Sequence, residues 1–211
     1  QVFAYILNHY CQISRYNDFV TSGGWQSSPN FSVLCYPTDE LQGKTIGIVG
    51  YGSIGKRVAE IALAFDMNVL VCTRTPKADG RVKFVSFDEL LKQSDIVTVH
   101  CPLNEQSREM FDSNAFAKMR DGAFFINTAR GGIVNEQDLA SALKSGKLSG
   151  AAIDVLTTEP MAKDCVLLGV PNLTVTPHTA WAPIATRKRL IGIVEDNIIA
   201  FLKGKPKNTV S

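Results

Sequence analysis

The fold is indicated by an apolar run that leads directly into a glycine turn, Thr45-Ile46-Gly47-Ile48-Val49-Gly50-Tyr51-Gly52-Ser53-Ile54-Gly55. The apolar run predicts a strand, and a helix over about residues 53–65 follows the turn. Gly50 allows the tight turn, Gly52 lets a phosphate approach the backbone, and Gly55 allows close packing of helix on sheet. The N–H groups at the helix start attract an anion. We therefore predict a dinucleotide site; a strand-to-helix turn without a ligand is the alternative. The expected contacts are Gly50, Gly52, Ser53, Ile54 and Gly55.

The bulk composition is that of an ordinary globular protein. The chain has 211 residues, of which 45% are hydrophobic and 20% charged, enough for one α/β domain with an appendage. The net charge of +2 is too small to indicate nucleic acid or a membrane surface as a partner. The cysteines show no metal-ligand spacing, which favours reduced thiols in a cytoplasmic protein. They are Cys11, Cys35, Cys72, Cys101 and Cys165. We see no apolar run of transmembrane length and no secretory signal.

Short apolar runs alternate with amphipathic segments beyond Lys44. Further strands are predicted at 68–72, 82–85, 95–101, 123–127, 148–155 and 173–176. Further helices are predicted at 87–92, 113–119, 136–145 and 184–202. This alternation predicts the α/β class, a doubly wound parallel sheet that binds ligands at the carboxyl ends of its strands. We expect residues 1–182 to form a Rossmann dinucleotide-binding domain and residues 183–211 to form a C-terminal helix.

The first 42 residues form a separate region of the sequence. Apolar residues at helical spacing, from Phe3 to Ile13, predict one amphipathic helix over about twenty residues. Residues 25–42 carry Trp25, Phe31 and Leu34 among prolines and serines, which indicates an extended arm. The arm either docks on a partner subunit or packs on its own domain. Because the chain starts at Gln1 inside a helical pattern, we expect a fragment or a processed chain.

The end of the second predicted strand bears on cofactor choice. Many dinucleotide sites place an acidic residue there to bind the ribose hydroxyls. This chain has instead Thr73, Arg74, Thr75 and, further on, Lys77. The planar guanidinium of Arg74 suits a 2′-phosphate, with the threonine hydroxyls as further donors. The sequence therefore predicts a preference for NADPH over NADH; a solvated Arg74 with loose selectivity is the alternative.

Three residues with catalytic chemistry follow successive predicted strands. Arg130, Glu159 and His178 are a cation, a carboxylate and an imidazole, and the ends of parallel strands converge at the ligand crevice. Such a set suits reduction of a 2-oxo acid. His178 gives a proton to the forming alkoxide, Glu159 holds the imidazolium, and Arg130 binds the carboxylate or polarises the ketone. Taken singly, each is also compatible with an ordinary surface or turn residue.

The ordered motifs resemble the D-isomer-specific 2-hydroxyacid dehydrogenases over essentially the whole chain. The matching segments are 50–55, Val99-His100-Cys101-Pro102-Leu103, Asn127-Thr128-Ala129-Arg130-Gly131-Gly132, 150–155, Glu159-Pro160 and Pro177-His178. The resemblance implies that Arg130, Glu159 and His178 are catalytic. It implies that Asp154 binds the nicotinamide carboxamide and that His100, Cys101 and Pro102 line the adenosine side. It also implies that Thr128, Ala129, Arg130, His178 and Ala180 contact the cofactor.

The run His178-Thr179-Ala180-Trp181 resembles the branch with glycerate dehydrogenases and hydroxypyruvate or glyoxylate reductases. In this family the coenzyme domain is inserted into a substrate domain whose larger part comes first, so we expect cofactor binding with little turnover from these residues alone. The family also implies a homodimer through the coenzyme domain. The alternatives are a non-catalytic dinucleotide sensor resembling the related corepressors, or a dehydrogenase of phosphoglycerate or formate.

Overall fold

The structure, a computed structural model, describes residues 1–75 and 79–209. It contains two compact units, Gln1–Thr176 and Pro177–Ser211. The first unit is built on a seven-stranded parallel sheet in the order β3-β2-β1-β4-β5-β6-β7. The strands are β1 Thr45–Val49, β2 Asn68–Cys72, β3 Lys83–Phe84, β4 Ile96–Val99, β5 Ala123–Asn127, β6 Leu148–Ile153 and β7 Leu173–Val175. The order reverses between β1 and β4, as in Rossmann folds, which confirms the predicted doubly wound sheet.

Helices cover both faces of this sheet. The helices of this unit are α1 Val2–Cys11, α2 Ile13–Thr21, α3 Ser53–Ala64, α4 Phe87–Gln93, α5 Ser113–Lys118 and α6 Glu136–Lys144, with a 3₁₀ turn at Gly131–Ile133; α2 has no buried residue. Consecutive strand residues alternate between two cores. Phe124 and Ile126 pack in the core that α1 and α3 cover, whereas Phe125 packs in the core that α4, α5 and α6 cover. Because both faces are buried, the strands read as continuous apolar runs.

The N-terminal region departs from the single helix that the spacing predicts. Gln12 adopts a left-handed conformation with φ 51° and ψ 32°, which ends α1 and starts α2 in a new direction. Its side-chain amide donates to the carbonyl oxygen of His9 at 2.6 Å. As a result Ile6 is buried in the core, while Ile13 is 62% exposed. The prediction of one continuous helix was wrong at this residue.

Four predicted strands are longer than the observed ones, among them β7, which stops at Val175. β3 has only two residues, β4 stops at Val99 and β6 stops at Ile153. The last residues of neighbouring strands pair with one another, so these strands end at the same position across the sheet. Val99 pairs with Asn127, and Asn127 pairs with Ile153. The residues that were predicted to extend β4 and β6 therefore lie in loops at the carboxyl edge of the sheet.

The second unit, Pro177–Ser211, contains the helix α7 Ile184–Leu202. The apolar side chains of α7 include Ile191, Phe201 and Leu202, which are all exposed. A turn precedes the helix, in which the N–H of Ala182 donates to the carbonyl oxygen of Thr179 at 2.9 Å. Within the described ranges, no helix combines the length and the apolar character needed to cross a bilayer.

Candidate cofactor and active site

The strand register brings the predicted site residues of the first unit to one edge. Val49 pairs with Val99, so the next residues, Gly50 and His100, leave the sheet side by side. The N–H of His100 donates to the carbonyl oxygen of Val49 at 2.7 Å. On the next strands, Thr128 and Asp154 leave at the same level, and the N–H of Asp154 donates to the oxygen of Asn127 at 3.0 Å. This edge is where open α/β sheets bind ligands.

Two of the motif glycines are required by close backbone packing. Gly50 has φ +99°, and a Cβ placed there would lie 2.6 Å from the nitrogen of Cys101. A Cβ on Gly55 would lie 2.1 Å from the carbonyl oxygen of Gly50. Both neighbours are backbone atoms, so a side chain would displace the turn itself. The turn therefore has the geometry that the motif predicts.

Gly52 meets no such obstacle, because no atom lies within 4 Å of a Cβ built on it. It is the N-cap of α3, and no side chain caps this helix start. The side chains of Ser53 and Ile54 are exposed beside it. No side chain therefore caps the first N–H groups of α3, and the space at the Cβ position of Gly52 is open. Because uncapped N–H groups at a helix start bind anions, the residues present suit a dinucleotide pyrophosphate.

The predicted selectivity residues lie next to the glycine turn. The carbonyl oxygen of Cys72 accepts from the N–H of Gly50 at 2.8 Å, which places Thr73 at the same edge. Arg74 and Thr75 are exposed, and Nη1 of Arg74 lies 3.5 Å from Oε1 of Gln106. Within residues 1–75 and 79–209, no carboxylate forms an ion pair with Arg74. Lys77 lies outside the described residues.

The loop after β4 presents neutral groups. Nε2 of His100 lies 3.0 Å from Oγ1 of the buried Thr98, and burial lowers the pKa of His100 to about 4. Burial raises the pKa of the Cys101 thiol. The carbonyl oxygen of Pro102 accepts from Oγ of Ser107 at 2.7 Å, which holds the turn. An uncharged lining of this kind suits the adenosine part of a dinucleotide, as the family resemblance implies.

Asp154 is held at the ends of the last two strands. Its side chain is 1% exposed, and Oδ1 accepts a short hydrogen bond from Oγ1 of Thr176. The hydroxyl of Tyr5 lies 2.5 Å from the same Thr176 oxygen. The carboxylate is therefore held on one side by Thr176, which follows β7 and in turn contacts Tyr5 of α1. Sequence reasoning identified Asp154 but not the two hydroxyl groups behind it.

Arg130 lies in a loop that Asn127 shapes. The side-chain amide of Asn127 donates to the carbonyl oxygen of Arg130 at 2.9 Å and accepts from the N–H of Ala129 at 3.0 Å. The guanidinium of Arg130 is exposed, with Nη1 donating to the oxygen of Ala129 at 2.7 Å. The buried Asn127 thus sets the backbone of Thr128, Ala129 and Arg130. The signal for this role was an asparagine at the last position of a buried strand.

The loops that carry Arg130 and Glu159 touch each other. A Cβ on Gly131 would lie 1.9 Å from the carbonyl carbon of Leu156, so the two backbones are in direct contact. Oε1 of the exposed Glu159 accepts from the N–H of Leu156 at 2.8 Å. The first unit therefore brings the loops of the predicted cation and carboxylate together.

His178 and Ala180 belong to the second unit. His178 has φ +53°, a conformation that few residues without glycine's freedom adopt. Such outliers are frequent at functional sites. The joint action of His178 with Arg130 and Glu159 stays a prediction.

One cluster beside the glycine turn was not found from the sequence. The hydroxyl of Tyr51 donates to Oδ2 of Asp79 at 2.8 Å. Nε of Arg81 donates to Oδ1 of Asp79 at 3.1 Å, and Nη2 donates to Oδ2 at 3.2 Å. Hydrogen bonds from Arg81 and Tyr51 hold the pKa of Asp79 well below its usual range. A carboxylate thus joins the glycine turn to the connection between β2 and β3.

A separate cavity of about 750 Å³ lies at the opposite, amino-terminal edge of the sheet. Two ion pairs join residues of its lining to each other: Arg120 with Asp95 at 2.7 Å, and Lys44 with Asp39 at 2.5 Å. Neither the glycine turn nor the loops of Arg130 and Glu159 line it. The residues predicted to bind the dinucleotide therefore lie outside this cavity.

Residues 3–180 match the family model of the D-isomer specific 2-hydroxyacid dehydrogenase NAD-binding domain. The chain belongs to this family. The matching family model describes an NAD-binding domain, which indicates a nicotinamide cofactor for this chain.

Curated relatives agree with the expected branch. The chain is 42% identical over 202 residues to the hydroxypyruvate reductase of Blautia hydrogenotrophica, covering 94% of this chain and 63% of that protein. It is 41% identical over 200 residues to the glycerate dehydrogenase of Methylorubrum extorquens, covering 94% and 62%. The chain thus spans less than two thirds of the length of these relatives.

Solved structures show the same fold. A D-lactate dehydrogenase from Aquifex aeolicus, complexed with NAD and lactic acid, matches with a TM-score of 0.84 and 32% identity, over 96% of this chain and 65% of that one. An acyclic imino acid reductase in complex with NADPH and D-arginine matches with a TM-score of 0.89 and 31% identity, over 100% and 66%.

Proposed function

We propose that this chain is the coenzyme-binding part of an oxidoreductase that reduces a 2-oxo acid to a D-2-hydroxy acid. Hydroxypyruvate and glyoxylate are the substrates we favour. A hydroxypyruvate reductase among the relatives supports the first, and the resemblance of His178-Thr179-Ala180-Trp181 to the branch with glyoxylate reductases supports the second. The observation that carries the proposal is the uncapped helix start at Gly52, at the same edge of the sheet as the touching loops of Arg130 and Glu159. These features combine an anion site with groups suited to a carboxylate substrate and to proton transfer.

In this proposal each candidate residue has one task. When bound, the nicotinamide supplies the hydride. Arg130 binds the substrate carboxylate or polarises the ketone, since its guanidinium is exposed and its backbone is held by Asn127. His178 donates the proton to the forming alkoxide, and Glu159 holds the imidazolium. Asp154 binds the nicotinamide carboxamide.

The cofactor in this proposal is NADP(H) in preference to NAD(H). The support is local: Arg74 is exposed, lies beside the glycine turn and has no ion-pair partner in the described part of the chain. A guanidinium in that position can form charge-assisted hydrogen bonds to a 2′-phosphate. NADH lacks this phosphate and gains nothing from Arg74.

We further propose a homodimer through the coenzyme domain. Phe31 and Leu34, on the arm between α2 and β1, are 93% and 87% exposed, which is costly for a free monomer. Sedimentation velocity tests this, and a single monomeric species at micromolar concentration would contradict it.

The free cysteines fit a reducing compartment such as the cytoplasm.

Replacing the proton donor tests the proposed activity. In the full-length protein, His178→Asn should lower kcat for hydroxypyruvate by about 10²- to 10⁴-fold, the usual contribution of general acid catalysis. The measurement is the loss of NADPH absorbance. Lys118→Ala is the control, because it removes one surface cation that pairs with Asp88 on α4. Equal rates for His178→Asn and the control, or no turnover of any 2-oxo acid by the unmodified protein, would contradict the proposal.

A further inference from the structure

We propose that Asp79 is a positioning residue for cofactor selectivity. Through Tyr51 it ties the loop after β2 to the glycine turn, and so keeps Arg74 at the 2′-phosphate position. This inference rests on the proposed use of NADP(H). Asp79 itself does not touch the cofactor; its effect passes through the loop that carries Arg74.

The loop would gain order from such a tie, because its described residues form no regular structure. It connects the end of β2 at Cys72 with β3 at Lys83, and its described residues contain no helix or strand. β3 supplies little support, since it has two residues. An irregular loop gains order when a contact divides it into shorter closed segments. Asp79 makes that contact part of the way along, and its partner Tyr51 lies within the phosphate-binding turn itself.

Tyr51 is a rigid anchor for this tie. Its side chain is 5% exposed, and its ring packs edge-on against Phe84 with centroids 5.5 Å apart. A buried tyrosine hydroxyl needs a hydrogen-bond partner, and Asp79 supplies it at 2.8 Å. Burial and the neighbouring carboxylate raise the pKa of Tyr51 to about 12, so the hydroxyl stays a donor at neutral pH.

The charge of Asp79 is also compatible with a nearby phosphate. Arg81 meets both carboxylate oxygens with its side chain, and its N–H donates to Oδ1 at 3.2 Å. The side chain of Asp79 is only 15% exposed. Its negative charge is thus offset by a neighbouring guanidinium and points into the protein. Among the described residues of this loop, Arg74 is left as the cation that can meet a phosphate.

The test compares two variants with a control. Asp79→Ala removes the carboxylate, and Tyr51→Phe removes only the hydroxyl while keeping the ring against Phe84. Glu89→Gln is the matched control, because it breaks an exposed ion pair between Lys83 of β3 and Glu89 of α4, at 3.1 Å, without touching the turn. NADPH and NADH are titrated by calorimetry, and amide hydrogen exchange is followed at residues 73–75 without cofactor.

We expect both variants to weaken NADPH binding about five- to tenfold, the effect of losing one hydrogen bond of about 1 kcal/mol. NADH binding should change less than about twofold. Exchange at residues 73–75 should rise in both variants and stay unchanged in the control. An unchanged ratio of the two affinities, or slow exchange in both variants, would overturn the role of Asp79. Failure of the unmodified chain to prefer NADPH would instead overturn the proposed cofactor use, and this inference with it.

Discussion

At the scale of single residues, the glycines of the turn differ in what a methyl group would meet. A Cβ on Gly55 collides with a backbone oxygen, whereas a Cβ on Gly52 enters open space. Gly55 is therefore required by packing, whereas the structure leaves Gly52 open for the role that the motif predicts, the approach of a phosphate to the backbone. The sequence motif predicts both roles, and the structure accounts for the first.

Alanine substitutions separate the two roles. Gly55→Ala should destabilise the chain by about 1–3 kcal/mol, as overpacking against fixed atoms does. Gly52→Ala should leave the free energy of unfolding within about 0.5 kcal/mol. It should nevertheless weaken NADPH binding about tenfold or more, because the methyl group occupies the approach of the phosphates. Urea unfolding and calorimetric titration measure both quantities. A Gly52→Ala protein that unfolds early, or binds NADPH normally, would contradict this division.

Residues that act through sequence-distant partners escaped prediction. Gly50, Gly55 and Arg74 could be identified because a local pattern surrounds them. Asp79 could not, since its partner Tyr51 lies 28 residues earlier and no periodicity links the two. Tyr5 and Thr176, which approach each other across 171 residues, are hidden for the same reason. Only the folded sheet shows which of these groups meet.

At the scale of elements, the strand and helix pattern was predictable wherever an element packs along its full length. The apolar runs of β1, β2 and β5 match the observed strands, since both of their faces are buried. The break between α1 and α2 was not predictable, because Gln12 has no special preference for the left-handed region. Its own hydrogen bond to His9 stabilises the bend.

Helix α1 docks on the sheet through His9, which creates a dependence on pH. The ring of His9 stacks on Phe124 at 4.0 Å, and Nε2 lies 3.1 Å from Oγ of Ser149. Burial lowers the pKa of His9 from 6.5 to about 4, and that of His100 falls likewise. Between these two pH values the unfolded chain binds more protons than the folded chain. The contribution of these two histidines to the free energy of unfolding is therefore fully present above pH 6.5 and is lost as the pH falls towards 4.

His9→Gln removes one group that binds a proton on unfolding. We therefore expect it to reduce the slope of the free energy of unfolding against pH by up to about 1.4 kcal/mol per pH unit. The free energy of unfolding in urea, measured between pH 7 and 4.5, gives the slope for the variant and the unmodified chain. The slope is the relevant quantity, because loss of the stacking contact also lowers stability at pH 7. Identical slopes would show that His9 is not buried in its neutral form.

At the scale of the whole molecule, one shared level of the sheet explains the site. Val49, Val99, Asn127, Ile153 and Val175 pair across neighbouring strands, so the loops that follow them start together. The sequence predicts this convergence, because alternating strands and helices imply a parallel sheet. It could not predict that Gly131 lets two loop backbones touch, which depends on their separation in space.

Calorimetric titration determines whether the carboxyl edge of this sheet binds NADP(H), as we propose. The unmodified chain and its Arg74→Ala variant are each titrated with NADPH and with NADH. We expect the unmodified chain to bind both at one site, NADPH more tightly. Arg74→Ala should lose about 10- to 100-fold of its NADPH affinity and little of its NADH affinity, as removal of charge-assisted hydrogen bonds predicts. No binding of either dinucleotide to the folded chain, or tighter binding of NADH, would contradict the claim.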